Sequence, residues 1–237
     1  MPPNFFLIVP TYYTSLDYRF ELFKKFIEHF PDCYNLIVVD STPNIFQKNV
    51  ANLTYKKNIV YKYLDQSYGK GGAIREGIKL ALSEATPNDI IGFQEPEKVN
   101  MLSIYPNILN KMYKNSLCIL KRSSDSFSTL PKEQLYLEKY VNCFMENVTS
   151  YNYDWTFGPI LFYVNCAEYF LNCKELKWNA QIQPVINILN TDILVSEFEV
   201  DFLYSELQKN NEENNLQYMK KRMEQANYFL EIYGKSI

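Results

Sequence analysis

Residues Ile90-Ile91-Gly92-Phe93-Gln94-Glu95-Pro96-Glu97-Lys98, IIGFQEPEK, decide how this chain is to be read. An apolar run fit for a buried strand stops at two carboxylates separated by one proline. In an extended segment, side chains at i and i+2 share a face, so both acids would lean toward a common cation. The alternative is a solvated loop in which Lys98 pairs one of the two. Hard cations take oxygen ligands, commonly one or two carboxylates together with the phosphates of a substrate.

Working outward, the same pattern recurs. Phe5 to Val9, FFLIV, is a continuous apolar run stopped by Pro10, as expected of a strand buried on both faces. Leu16 to Phe30 carries Phe20, Phe23, Phe26, Ile27 and Phe30 at helical spacing, with Pro31 closing it. Asn35 to Asp40, NLIVVD, is a second strand ending in an acid, and Asn58 to Leu64 a third. Gly69-Lys70-Gly71-Gly72 opens a helix that runs from Ala73 to Glu84, and Asp89 to Phe93 is the fourth strand. Strands alternating with helices imply an α/β chain with a mostly parallel sheet, whose ligands lie beyond the carboxyl ends of the strands. Asp40 and the Glu95/Glu97 pair fall at such ends.

Further along, Leu117 to Leu120 is a fifth strand, followed by Lys121, Arg122 and a Ser-rich stretch read as a loop. Glu133 to Asn147 has a helical pattern, and Asp154 to Val164, DWTFGPILFYV, carries a Gly-Pro turn into an apolar strand. Gln208 to Asn215, QKNNEENN, reads as a polar break before a last amphipathic helix. The expected organisation is one domain over residues 1–205, with a C-terminal helical extension over 206–237.

Composition narrows the function classes. The 237 residues are 47% apolar and 16% aromatic, which supports a packed core and argues against disorder. Net charge is −3 with acids and bases interleaved, so the basic face that nucleic-acid binding needs is missing. No run approaches the roughly 18 apolar residues of a spanning helix, and Met1 to Phe5 lacks a basic region before an apolar one. These features predict a soluble, cytoplasmic protein without a transmembrane segment. The five cysteines are odd in number and lack CxxC spacing, and reduced buried thiols are expected.

Three motifs carry the chemistry. Glycines at the start of a helix let a backbone approach an anion, and Lys70 and Arg75 add positive charge there. Neither a GxxxxGK[ST] loop nor a GxGxxG fingerprint is present. Asp40 is placed either to accept hydrogen bonds from a ligand or to cap the turn through Ser41 and Thr42. Glu95 and Glu97 complete the set.

The four segments IVPTYY (Ile8 to Tyr13), LIVVDST (Leu36 to Thr42), GKGGAIREGI (Gly69 to Ile78) and IIGFQEPEK resemble, in order and spacing, the nucleotide-sugar half of family-2 glycosyltransferases. KGGAIREG is most similar to the segment found in dolichyl-phosphate mannose synthases and their relatives. The resemblance spans about residues 5 to 100 and implies a GT-A fold, a Rossmann-like mixed sheet flanked by helices. It implies a nucleoside-diphosphate sugar as donor and a divalent cation, Mn²⁺ or Mg²⁺. Residues 1–100 would form the nucleotide-sugar half and 101–205 the acceptor half. Thr11 and Asp40 would lie in the nucleotide pocket, Asp40 on the base. Lys70, Gly71 and Arg75 would lie near the donor, and Glu95 and Glu97, where such enzymes have Asp-x-Asp, would hold the metal and the phosphates. Arg122, after the fifth strand, either faces the diphosphate or is an exposed loop charge. For an inverting transfer to an acceptor hydroxyl, on a glycan, a lipid-linked or a small molecule, Asp154 is the candidate general base, the alternative being a turn acid beside a core Trp155. Trp178 either stacks on a sugar ring or packs. Two other readings are a catalytically inactive scaffold, suggested by the departure from Asp-x-Asp, and a sugar nucleotidyltransferase. The latter would be expected to have glycines directly after the first strand, where PTYYTSLD has none.

Overall fold

The structure is a computed structural model and describes residues 3–234. Among the described residues seven strands, β1 (Phe5–Thr11), β2 (Asn35–Asp40), β3 (Ile59–Tyr63), β4 (Ile90–Phe93), β5 (Leu117–Arg122), β6 (Ile160–Tyr163) and β7 (Val195–Val200), form one sheet in the order β3-β2-β1-β4-β6-β5-β7, and β7 is a strand that the sequence pattern did not announce. The first four are mutually parallel, β6 runs antiparallel to β4 and β5, and β7 is parallel to β5. This is the mixed, mostly parallel sheet flanked by helices.

Among the described residues ten α-helices accompany it: α1 (Tyr18–His29), α2 (Asn44–Ala51), α3 (Gly69–Leu82), α4 (Tyr105–Leu109), α5 (Ser124–Ser128), α6 (Lys132–Thr149), α7 (Ala167–Asn172), α8 (Asn179–Leu189), α9 (Glu206–Glu212) and α10 (Leu216–Gly234). The apolar run in β1 is continuous because both faces are covered. Phe5, Leu7 and Val9 point into a cluster with α1 and α4, whereas Phe6 and Ile8 join α3, α6, α8 and α10 on the other face. The period-2 alternation of β2 splits Leu36 and Val38 from Ile37 and Val39 in the same way.

Registry sets up the site. Thr11 lies opposite Asp40 across β1 and β2, and Ile8 lies opposite Phe93 across β1 and β4, so the three chains leave the sheet along one edge. Helix α1 begins where the Asp17 carboxylate accepts from the Arg19 N–H, which brings Arg19 to that edge.

Some elements differ from expectation. The Ser-rich stretch holds a short helix, α5, capped by the Ser123 hydroxyl. The polar break is mostly helix α9, capped by Ser205, with Glu212 buried within it. Polar composition conceals both, because each helix is short and anchored by hydrogen bonds rather than by an apolar stripe. Helix α10 packs along α6 and α8, and α9 packs on α1. Among the described residues no helix is long and apolar enough to cross a membrane.

Candidate active site

Beyond β4 the chain turns at once. Gln94 is buried; its Oε1 accepts from the Tyr105 hydroxyl and its Nε2 donates to the Lys98 carbonyl at 3.3 Å. The Lys98 N–H donates to the Glu95 carbonyl at 3.2 Å, closing a turn with Pro96 at its second position, which suits the fixed φ of proline. Glu95-Pro96-Glu97 is therefore a tight turn and not the extended segment expected. Even so, both carboxylates face cavities.

Glu95 is fully engaged. Lys98 Nζ donates to Oε2 at 2.8 Å, and Lys70 Nζ forms a short ion pair with Oε1. Burial opposes ionisation of Glu95, but the two ammonium groups outweigh it and hold the carboxyl well below the usual carboxylate range. Gly158, at φ +100°, lies against this carboxylate; a Cβ there would sit 3.0 Å from Oε2, so glycine is required for conformation and space alike. Lys70 Nζ also stands 4.2 Å from the centre of the Trp178 ring, a cation–π contact. Glu97 is different. No side-chain hydrogen bond neutralises it; burial pushes its pKa up, its own N–H and Lys221 pull it down, and Glu95 adds to the rise.

Two cavities meet at this turn. One, of about 520 Å³, is lined by Thr11, Tyr12, Tyr13, Ser41, Gly69, Lys70, Pro96 and Lys177 among others. The second, of about 120 Å³, lies toward Arg122, Glu138, Phe157, Tyr204, Arg222 and Phe229. Arg19, Glu95, Glu97, Trp178 and Lys221 line both.

The structure brings some predicted residues to the cavities and takes others away. Thr11 lines the larger cavity, with its hydroxyl donating to Asp40 Oδ1 at 2.9 Å. Asp40 does not line that cavity. It is fully buried, its Oδ1 also accepts from the Thr42 N–H at 3.0 Å, and its Oδ2 accepts from the Tyr61 hydroxyl at 2.8 Å. It organises the loop, as the turn-capping alternative requires, and leaves Ser41 to face the cavity.

The glycine-rich helix start is also occupied. The Gly71 N–H donates to the Leu176 carbonyl at 3.0 Å, and a Cβ on Gly71 would overlap the Glu175 carbonyl and the Ala180 methyl. Arg75 Nη1 donates to the carbonyls of Cys173 and Glu175 at 2.6 and 2.7 Å. Gly71 and Arg75 therefore seat the 173–178 segment on α3 instead of cradling an anion, and that segment delivers Lys177 and Trp178 to the cavity. Of Lys70, Gly71 and Arg75, only Lys70 lines it.

Arg122 lines the smaller cavity, nearly buried, with Asp154 behind it. The Asp154 carboxylate accepts from Arg122 Nε at 2.7 Å and Nη2 at 2.9 Å, from Asn142 Nδ2 at 2.9 Å and from the Thr156 hydroxyl at 3.1 Å. Burial opposes its ionisation, yet Arg122 holds its pKa below the usual range. As placed, Asp154 has no free oxygen to take a proton; it positions Arg122. Arg122 Nη1 pairs in turn with Glu138 at 2.7 Å, Glu138 with Arg222 at 3.5 Å, and Arg222 with Glu212, which also accepts from the hydroxyls of Tyr18 and Tyr204.

This charge ladder joins β5, α6, α10 and α9, and sequence reading missed all of it beyond Arg122 and Asp154. A signal existed for one member. Gln134, Glu138, Val141 and Met145 are the buried positions of α6, so two polar side chains continue an apolar stripe at helical spacing. Arg19, Lys98, Tyr13 and Lys221 were also missed as cavity residues.

The fold resemblance implies a divalent ion, and the donor set fits one poorly. Both oxygens of Glu95 are spent on ammonium groups, Glu97 leaves a single carboxylate, and among the described residues no cluster of three or more His, Cys, Asp or Glu side chains is placed to hold a metal ion.

No family profile matches the chain, and no curated protein matches it. Solved structures do match over nearly the whole chain. Residues 1–349 of TarS from S. aureus are 17% identical, with a TM-score of 0.56 over 97% of this chain and 71% of that one. Glucosyl-3-phosphoglycerate synthase from Mycobacterium tuberculosis, in complex with UDP, is 11% identical, with a TM-score of 0.62 over 98% of this chain and 80% of that one. The 4-diphosphocytidyl-2C-methyl-D-erythritol synthase of Anaerococcus prevotii is 12% identical, with a TM-score of 0.50 over 97% of both chains. At these identities the likeness is one of fold: the sheet and its flanking helices have the GT-A, Rossmann-like architecture.

Proposed function

We propose that this chain is a glycosyltransferase of the hexosyltransferase type, moving a sugar from a nucleoside-diphosphate donor to an acceptor hydroxyl. The observation that carries the reading is the meeting of two cavities at the Glu95-Pro96-Glu97 turn, at the carboxyl ends of a GT-A sheet. The larger would take the donor and the smaller the acceptor. Residues 1–100 then act as the donor half and 101–205 as the acceptor half, and of the 206–237 extension the described helices α9 and α10 close the acceptor side through Arg222, with Lys221 at the junction of the two cavities. The UDP in the M. tuberculosis synthase, also solved with Mg²⁺ or with Mn²⁺ and phosphoglyceric acid, supports a nucleotide donor of this kind.

In this reading Thr11, Tyr12 and Ser41 bound the nucleoside end, and Lys70 and Lys221 meet the diphosphate. Glu97 is the general base, since its carboxylate lines both cavities with no ammonium group hydrogen-bonded to it, and burial raises its pKa, which favours proton acceptance. Displacement at the anomeric carbon from the acceptor side would invert its configuration.

The test is release of nucleoside diphosphate from UDP-, GDP- and dTDP-hexoses, with water or added sugars as acceptor, followed by mass spectrometry. Release that depends on an intact Glu97 supports the reading. Absence of both release and binding with every donor refutes it.

A further inference from the structure

Resting on that donor-site reading, we infer that fixed ammonium groups, Lys70 first and Lys221 with it, carry the charge of the donor diphosphate in this chain, so that donor binding needs no divalent ion. The wall of the larger cavity holds four cationic side chains, Arg19, Lys70, Lys177 and Lys221, against two carboxylates, Glu95 and Glu97, and with Arg19 paired to Asp17 at 2.7 Å the three lysines still outnumber the two acids. A site built to concentrate a divalent cation has the opposite balance, because the ion itself is the largest local positive charge. Here the surplus is already cationic and matches an anionic ligand.

The geometry agrees with the count. To bind an ion, Glu95 would have to release Lys98 from Oε2, at 2.8 Å, and Lys70 from Oε1. The Lys70 and Glu95 side chains are only 15% and 20% exposed, and the Trp178 ring fixes the ammonium from another side, so the pair is held and not loosely solvated. An ammonium has three donors. With one N–H on Glu95 and the ring face on another side, Lys70 keeps a donor for a phosphate oxygen in the cavity it lines. Lys221, exposed on α10 at the junction of the two cavities, adds a second ammonium from the opposite wall.

The chemistry balances without a metal. The acceptor oxygen forms a bond to the anomeric carbon as the bond from that carbon to the β-phosphate oxygen breaks; the electron pair leaves on the phosphate, and the acceptor proton passes to Glu97. The new negative charge on the leaving oxygen is the charge that Lys70 meets.

Calorimetric titration with UDP, GDP and dTDP, in EDTA and again in Mn²⁺, tests this on the wild-type chain and on Lys70→Met and Lys221→Gln. The expected result is saturable binding in EDTA that Mn²⁺ tightens less than about threefold, weakened at least about tenfold in Lys70→Met, the equivalent of about 1.4 kcal/mol. Lys221→Gln alters an exposed side chain, so its loss of affinity reads charge even if Lys70→Met is unfolded in a thermal melt. Binding seen only with Mn²⁺ and abolished in Glu95→Gln/Glu97→Gln overturns the inference and leaves the transferase reading standing. No binding under either condition overturns both.

Discussion

Arg122 grips Asp154 through two parallel hydrogen bonds, Nε to Oδ2 at 2.7 Å and Nη2 to Oδ1 at 2.9 Å, with both side chains nearly excluded from solvent. A bidentate pair of this kind fixes the plane of the guanidinium and so the face that Arg122 turns to the smaller cavity. Removing one partner strands a buried charge, which costs about 3–5 kcal/mol. Asp154→Asn should therefore lower the free energy of unfolding in urea by an amount of that order. Its pH dependence follows from the lowered pKa. The pair's contribution is fully present above the unfolded carboxyl value of about 3.9 and is lost as pH falls through the lower folded value. The deficit of the variant relative to wild type should thus be constant from neutral pH to about pH 5 and shrink below about pH 4. A deficit that grows on acidification would contradict the pairing.

The Glu97 assignment makes a kinetic prediction. Glu97→Gln keeps size and shape but cannot accept a proton, and loss of a general base costs about 10²- to 10⁴-fold in turnover. The donor dissociation constant should change by less than about threefold, because the hydrogen bond that the carboxylate accepts from its own N–H can be kept by the amide oxygen of Gln. Single-turnover kinetics beside calorimetry separate the two quantities, and a variant with unchanged turnover would remove Glu97 from the mechanism.

Seating of the 173–178 segment on α3 is tested by Gly71→Ala. The added methyl would meet the Glu175 carbonyl and the Ala180 side chain, and overpacking of this kind costs about 1–3 kcal/mol. Hydrogen exchange should rise at Leu176 to Trp178, whose backbone acceptor for the Gly71 N–H is displaced. Exchange unchanged in that segment, with full stability, would mean the close approach is not as described.

Thiol chemistry offers an independent check on burial. Cys118 and Cys166 are buried with pKa pushed up to about 12 by desolvation, whereas Cys33 and Cys143 are exposed. At pH 8 iodoacetamide should label Cys33 and Cys143 and spare Cys118 and Cys166 until denaturant is added, as peptide mapping would show.

How much of this was legible beforehand differs by level. The sheet was readable because FFLIV, NLIVVD and IIGF are apolar without alternation, a pattern that only strands covered on both faces can bury. The place of the site followed from Asp40 and Glu95 lying at strand ends. What each side chain does was not readable. Asp40 and Glu95 have the same local pattern, an acid after an apolar run, yet Asp40 is consumed by Thr11, Thr42 and Tyr61 while Glu95 meets two lysines. Thr42 and Lys98 are local partners, but Tyr61 on β3 and Lys70 on α3, 21 and 25 residues away, decide that, and no local pattern points to them. The same holds for Gly71 and Arg75, whose contacts lie about a hundred residues on, and for Glu138 and Arg222, which acquire meaning only when α10 packs on α6.

The most direct test of the donor cavity uses its one tryptophan. Trp178 lines both cavities and Trp155 is buried elsewhere in the core, and these are the only two in the chain. Titration with UDP, GDP and dTDP, followed in parallel by fluorescence and by heat, should give for at least one nucleotide a saturable fluorescence change with the same midpoint as the heat, and Trp178→Phe should abolish the optical signal. If none of the three produces heat or a fluorescence change, the cavity at the Glu95-Pro96-Glu97 turn is not a nucleotide-sugar site and the account fails.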